Sequence, residues 1–225
     1  MIEWTSFENC PHHEACVLYK QASHPGVPSR LWEPSTDDKT VALIVVGEAP
    51  GWQEDAHFRC WVGRSGQLLD EFMSQSYTDF ASTADVYLMN TCRCFPGTVK
   101  NPPDKAITLC KPNLVGDIKK VLSNYPTVAL LLLGASAVSC LVGKGGLRKS
   151  FAHQGDFINL GDGTLVRAYR TYHPASLMRK PQQARVLEQH FKLVAQFLRT
   201  GQPLAGDKEI TYHTGQPCPY VTEKP

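Results

Sequence analysis

Short, almost wholly apolar runs alternate along this chain with longer stretches in which apolar residues recur every three or four positions. That is the pattern of strands buried between helices. Val41 to Val46 is unbroken and rich in β-branched residues, and fits a strand covered on both faces. Asp85 to Asn90, Thr127 to Leu133 and Leu165 to Tyr169 read as three further strands. The spacing of Leu68, Leu69 and Phe72 predicts a helix over Gly66 to Ser74, and Asp104 is placed to cap a helix carrying Ile107, Leu114, Ile118 and Val121. Gly134 turns the chain into a short helix through Ala137 and Leu141, broken by the glycines from Gly143 to Gly146. Val186 to Leu198 reads as a final amphipathic helix. The expected fold is α/β, three layers α/β/α around a central, mainly parallel four-stranded sheet.

Each predicted strand runs into a polar or glycine-bearing loop, and open α/β sheets bind ligands beyond the carboxyl ends of their strands. Glu48 lies in the loop Gly47 to Gly51, whose glycines let the backbone turn sharply. Asn90 ends the second strand, the Gly134 turn follows the third, and His173 follows the fourth in Thr171-Tyr172-His173-Pro174. Singly, a carboxylate after a strand is usually solvated, an asparagine a turn former and a histidine before proline an ordinary loop residue. Their convergence on one sheet edge points to a site.

With 225 residues, 42% of them hydrophobic, the chain can bury one full core, so residues 1–200 are expected to form a single domain. A segment bearing Cys and His opens it, and a polar loop through Pro28, Pro34 and Asp38 leads to the first strand. From Gly201 onward Pro, Gly and Thr recur without period, and 201–225 is expected to be an extended or disordered tail. A net charge of +2 leaves the partner open. With no apolar run of membrane-spanning length and no signal-like start, the expectation is a soluble, cytoplasmic protein that uses no membrane and acts as a monomer. Eight cysteines in such a chain argue for reduced thiols, some of them metal ligands, rather than disulfides.

Gly47-Glu48-Ala49-Pro50-Gly51 with Glu54-Asp55, then Trp61 to Leu69, Asn90 to Cys94, and Thr171-Tyr172-His173-Pro174-Ala175 with Arg179 carry a family signature. In order and spacing, from about Cys10 to Leu198, they resemble the iron–sulfur uracil-DNA glycosylases of family 4. The resemblance implies hydrolysis of the N-glycosidic bond of uracil in single- or double-stranded DNA, leaving an abasic site for base-excision repair. It implies Glu48 and His173 as catalytic residues, with Ala49, Pro50, Trp61 and Asn90 around the base. Trp61 would stack on the flipped base, and Asn90 would read its edge. Gly51, Gly63, Ser65, Gly66, Ala175, Ser176 and Arg179 would contact DNA, with Arg64, Arg167, Arg170 and Lys180 adding basic surface. The family usually has phenylalanine after proline where this chain has Cys60-Trp61, a departure that bears on base selectivity.

The same resemblance implies a [4Fe–4S] cluster held by Cys10, Cys16, Cys94 and Cys110. Cys10 and Cys16 are farther apart than the family's Cys-x2-Cys, which leaves His13 as an alternative to Cys10, with Cys92 a further substitute and zinc the competing metal. Cys60, Cys140 and Cys218 read as structural or incidental. The interval from Cys94 to Cys110 lacks the histidine-bearing insertion of the related cross-linking glycosylases, so covalent trapping of DNA is not expected. Two other readings stay open: an Fe–S module that binds DNA or a replication partner without excision, and an enzyme acting on deaminated purines.

Overall fold

A computed structural model describes residues 2–4, 10–33, 38–75, 78–97, 99, 101–143, 156–201 and 211–213. In chain order the first elements are α1 (Val17–Gln21), β1 (Arg30–Leu31), β2 (Val41–Gly47), α2 (Trp52–His57), α3 (Arg64–Met73), α4 (Phe80–Thr83) and β3 (Asp85–Asn90). They are followed by α5 (Asp104–Leu122), β4 (Thr127–Leu133), α6 (Gly134–Leu141), β5 (Asp156–Asn159), β6 (Leu165–Thr171), α7 (Ala184–Thr200) and β7 (Thr211–His213).

Side chains alternate across a strand, so each buried strand feeds two cores. Leu43, Val45, Val86, Leu88, Ala129, Leu131 and Tyr169 pack on one face of the sheet against Leu69 and Met73 of α3, Phe80 of α4 and Leu187, Phe191 and Val194 of α7. Ala42, Ile44, Val46, Met89, Leu130, Leu132, Val166 and Ala168 pack on the other against Leu114, Ile118 and Val121 of α5 and Ala137, Val138 and Leu141 of α6. This is the three-layer arrangement that the apolar runs predict.

Among the described residues the sheet has seven strands in the order β1-β3-β2-β4-β6-β5-β7, not four. Its centre, β3-β2-β4-β6, is parallel and comprises the four expected strands. The additions lie outside: β1 runs antiparallel to β3, β5 antiparallel to β6, and β7 parallel to β5. None is longer than four residues, too short to show a period in the sequence. β7 falls in the segment read as a tail; the remainder of 202–225, with Cys218, lies outside the described residues, as do Pro34, Gly145 and Gly146.

The helices also start differently from their apolar spacing. α3, capped by Gly63, starts at Arg64, two residues before the predicted start, and Pro103 rather than Asp104 is the N-cap of α5. More important for function is the register. Gly47 pairs with Asn90, Val46 with Leu132, and Leu133 with Thr171, so the four strands end nearly level. From β2 the chain goes first to β3 on one side and then back across to β4 on the other. The crevice between β2 and β4 is thus the topological switch point, with Glu48 leaving one wall and Gly134 the other.

Candidate active site

Backbone bonds lock the loops after β2 and β3 together. The Thr91 amide and hydroxyl both donate to the Gly47 carbonyl, at 3.0 and 2.8 Å, and the Cys92 amide donates to the Glu48 carbonyl at 2.9 Å. Glu48 is half-buried, and the Ser136 hydroxyl donates to its Oε2 at 2.5 Å. Among the described residues, Oε1 has no such partner, so one carboxylate oxygen is held and the other is left to act. Ser136 lies in the first turn of α6, which Gly134 starts at φ +82°; a Cβ there would come within 3.0 Å of His173 Cβ. Nothing in the sequence marks Ser136, because a serine early in a helix is more often a cap than a partner for a distant loop.

Trp61 is held in the left-handed region at φ 59°, a costly conformation for a bulky residue. Its surroundings impose it. Arg30 donates through Nε to the Cys60 carbonyl at 2.8 Å and through its guanidinium to the Trp61 carbonyl at 3.4 Å. A Cβ on Gly66 would lie 2.2 Å from that same carbonyl oxygen, and a Cβ on Gly47 would lie 2.3 Å from the indole, so only glycine fits at either place. The indole Nε1 donates to the Met89 carbonyl at 3.2 Å, and the ring stacks on His173 with centroids 5.4 Å apart and planes at 22°. Trp61 is therefore both a buried anchor and a wall of the site. Cys60 beside it is buried, donates to the Leu88 carbonyl at 3.4 Å, and is pushed up to about 11 by burial; it is structural, as the sequence suggested.

Ala49, Gly51, Trp61, Gly63, Ser65, Asn90 and His173 line a cavity of about 250 Å³, with Trp52, Gln53, Glu54 and Arg64 completing it. Glu48 and Pro50 are not among its walls. Asn90 is buried at the end of β3, and its amide has no partner among the described residues. The Ala175 amide donates to His173 Nδ1 at 3.2 Å, which makes that nitrogen the acceptor and leaves the ring proton on Nε2. Burial first, and then the charge of Arg179, lowers the imidazole from its ordinary 6.5 to about 4. His173 is thus a neutral N–H donor.

Two carboxylates behind this cavity organise its loops. Buried Glu54 accepts from the amides of Gly51 at 3.0 Å, Val62 at 3.0 Å and Gly63 at 2.7 Å, joining the start of α2 to the turn before α3. Buried Asp55 accepts from the amides of Ser23 and His24 at 2.8 and 3.0 Å, tying the segment after α1 to α2. The amides of Gly51 and Gly63 are thereby engaged with Glu54, whereas those of Arg64, Ser65 and Gly66 open the first turn of α3, where no intrahelical acceptor exists. Ser176 donates its hydroxyl to Gln183 at 2.9 Å, and Arg179 and Lys180 are exposed. Arg167 and Arg170, expected to add basic surface, are instead buried in β6; the Arg167 guanidinium stacks 4.4 Å from the Phe157 ring centroid. Three positions apart, they point to opposite faces of β6, and both are buried because the sheet is covered on both faces.

Cys10, Cys16, Cys94 and Cys110 line a second, small cavity together with His12, Tyr19, Gly26, Arg93 and Leu109. His13 is not among its walls: its Nδ1 meets the Cys10 carbonyl at 2.8 Å and its ring tilts against Tyr19. Cys92 is buried behind Cys110, to which its thiol donates a hydrogen bond. Burial pushes the Cys94 thiol up to about 12. Among the described residues no three His, Cys, Asp or Glu side chains close tightly enough for one metal ion. Four thiols from two segments face this one space, the donor set that a [4Fe–4S] cluster takes, one thiolate to each iron.

Residues 34–199 match the family model described as the uracil DNA glycosylase superfamily. A type-4 uracil-DNA glycosylase of Pyrobaculum aerophilum is 32% identical over 178 residues, covering 77% of this chain and 80% of the relative. That of Thermotoga maritima is 33% identical over 138 residues, 61% of this chain and 66% of its own, and that of Saccharolobus solfataricus 26% over 187 residues, 79% and 83%.

Proposed function

Because this chain belongs to the uracil-DNA glycosylase superfamily, we propose that it hydrolyses the N-glycosidic bond of uracil in DNA and releases the base to leave an abasic site. The observation that carries the reading is a cavity lined by Asn90, a neutral His173 and Trp61, with Glu48 beside it on the loop that leaves the same sheet edge. A base stacked in a duplex cannot enter such a cavity, so the nucleotide must be extruded, at about a few kcal/mol that mismatched or single-stranded sites reduce. The Asn90 amide then accepts from uracil N3–H and donates to O4. Cytosine presents the reverse pattern and leaves buried groups unpaired, at about 1–3 kcal/mol each.

As the bond from C1′ to N1 breaks, uracil N1 keeps the electron pair and the sugar becomes cationic. His173 Nε2–H donates to uracil O2 as negative charge gathers there, and a neutral imidazole does so without having to lose a proton at working pH. Glu48, steadied through Oε2 by Ser136, opposes the sugar's charge and orients water with Oε1. The water oxygen bonds to C1′, and the proton it gives up balances the departing uracil anion. DNA is held by the amides that open α3, with Ser65 and Gly66, and by Arg179 and the Pro174–Ser176 turn.

Cys10, Cys16, Cys94 and Cys110 are the proposed ligands of a [4Fe–4S] cluster, which when bound supplies a rigid covalent link between the N-terminal segment and the loop after β3. No helix among the described residues is long and apolar enough to cross a membrane.

Single-turnover excision from uracil-containing oligonucleotides, single- and double-stranded, tests the reading. Glu48→Gln and Asn90→Ala are expected to slow release by about 10²–10⁴-fold. Absence of abasic product from the wild type would reject the proposal, and product from hypoxanthine but not uracil would replace it with a purine-specific enzyme.

A further inference from the structure

Trp52 is the first residue of α2, immediately after the loop that carries Glu48, and its side chain is 67% exposed while contributing to the wall of the 250 Å³ cavity. Exposed apolar residues are common singly, but an indole left in water at the mouth of a site that takes a nucleobase has a specific use. The other three tryptophans are half-buried or buried: Trp4 packs on Tyr87, Trp32 donates to Asp70 and Trp61 to Met89. Trp52 has no such ring or hydrogen-bonding partner among the described residues.

We propose that Trp52 is a second base-stacking site, which takes the face of the nucleotide next to the flipped uracil. This rests on the DNA-glycosylase reading above. Its position relative to the cavity is what a neighbouring base requires. Once the uracil occupies the cavity that Trp61, Asn90 and His173 help to line, the adjacent nucleotide is the next group to reach the rim. The exposed guanidinium of Arg64 lies at that same rim and suits the phosphate between the two nucleotides. Stacking is indifferent to sequence, because every base has a π-face. It does depend on strand state. In a duplex the neighbouring base is already covered by the next pair, whereas in a single strand its face is free. Trp52 therefore biases the protein toward uracil in single-stranded DNA.

The test is fluorescence anisotropy with oligonucleotides in which the uracil nucleotide carries a 2′-fluoro group, whose electron withdrawal blocks bond cleavage. The oligonucleotides have an intact base, or an abasic tetrahydrofuran, at the 5′ or the 3′ neighbour. Trp52→Ala is expected to weaken single-strand binding about tenfold, Trp52→Phe much less, and the effect on duplex to be smaller than on single strands. Removing the base from one neighbour should bring wild type and Trp52→Ala together. Equal binding by the two proteins on intact single strands, or a loss that persists whichever neighbour is abasic, overturns the proposal. Circular dichroism confirms that both variants are folded. Because anisotropy reads binding alone, a wild type that binds but excises no uracil from the unmodified strand dismisses the glycosylase reading without deciding the stacking one.

Discussion

Ser136 and His173 show how a single hydrogen bond sets what a side chain can do. Ser136 acts only through Glu48, so Ser136→Ala is expected to lower the single-turnover rate about tenfold with little change in DNA affinity, and Ser136→Thr to restore most of it. In a Glu48→Ala background the same change should have no further effect; an equal loss there would show that Ser136 has another task. His173 presents Nε2–H because its other nitrogen is occupied by the Ala175 amide, and burial holds it neutral. Nitrogen-detected NMR should find the Nε2–H tautomer at pH 6, with imidazolium forming only near pH 4. Titration at about 6.5 would contradict this. The sign for stability follows: a histidine whose folded value is depressed takes up a proton more readily when unfolded, so its contribution is intact above about pH 6.5 and lost as pH falls toward 4. Buried His190, lowered to about 4 by burial, acts in the same direction.

Two adjacent helices owe their placement to the carboxylate pair Glu54 and Asp55. Glu54→Ala strips three amides of their acceptor and is expected to cost about 2–4 kcal/mol, measured by urea denaturation, while loosening the turn that presents Trp61 and α3. A loss below about 0.5 kcal/mol would mean that water replaces the carboxylate without penalty. The central strands and the long helices were legible in the sequence because each carries several turns or alternations of apolar residues. The edge strands, α2 and α4 were not, since two to six residues hold too little pattern. At the site the strand-end residues Glu48, Asn90 and His173 could be read from position. Arg30, Ser136 and the bonds of Glu54 could not, because each serves a segment distant in sequence and nothing local marks the partner.

The N-terminal segment reaches the thiol cavity along the outer edge of the sheet: Asp55 holds Ser23 and His24, the Val27 amide donates to the Arg93 carbonyl at 2.8 Å, and β1 pairs with β3. This path brings Cys10 and Cys16 to Cys94 despite their unusual spacing, and it turns His13 outward. Cys10→Ser is accordingly expected to lower iron and acid-labile sulfide content and to reduce visible absorbance, and His13→Ala to leave both unchanged. The reverse result would make His13 the ligand. Arg93, between buried Cys92 and Cys94, forms an ion pair with buried Asp117, so the segment that follows Asn90 is anchored from two sides.

The level ends of β2, β3, β4 and β6 also govern when activity can first appear. His173 meets Trp61 only after β6 has closed on β4, a pairing of residues some forty positions apart, and loop closure over such distances comes late in folding. A refolding chain should therefore recover helical circular dichroism before it recovers binding to uracil, and a nascent chain whose β6 has not yet been synthesised carries Glu48 and Asn90 without a working site.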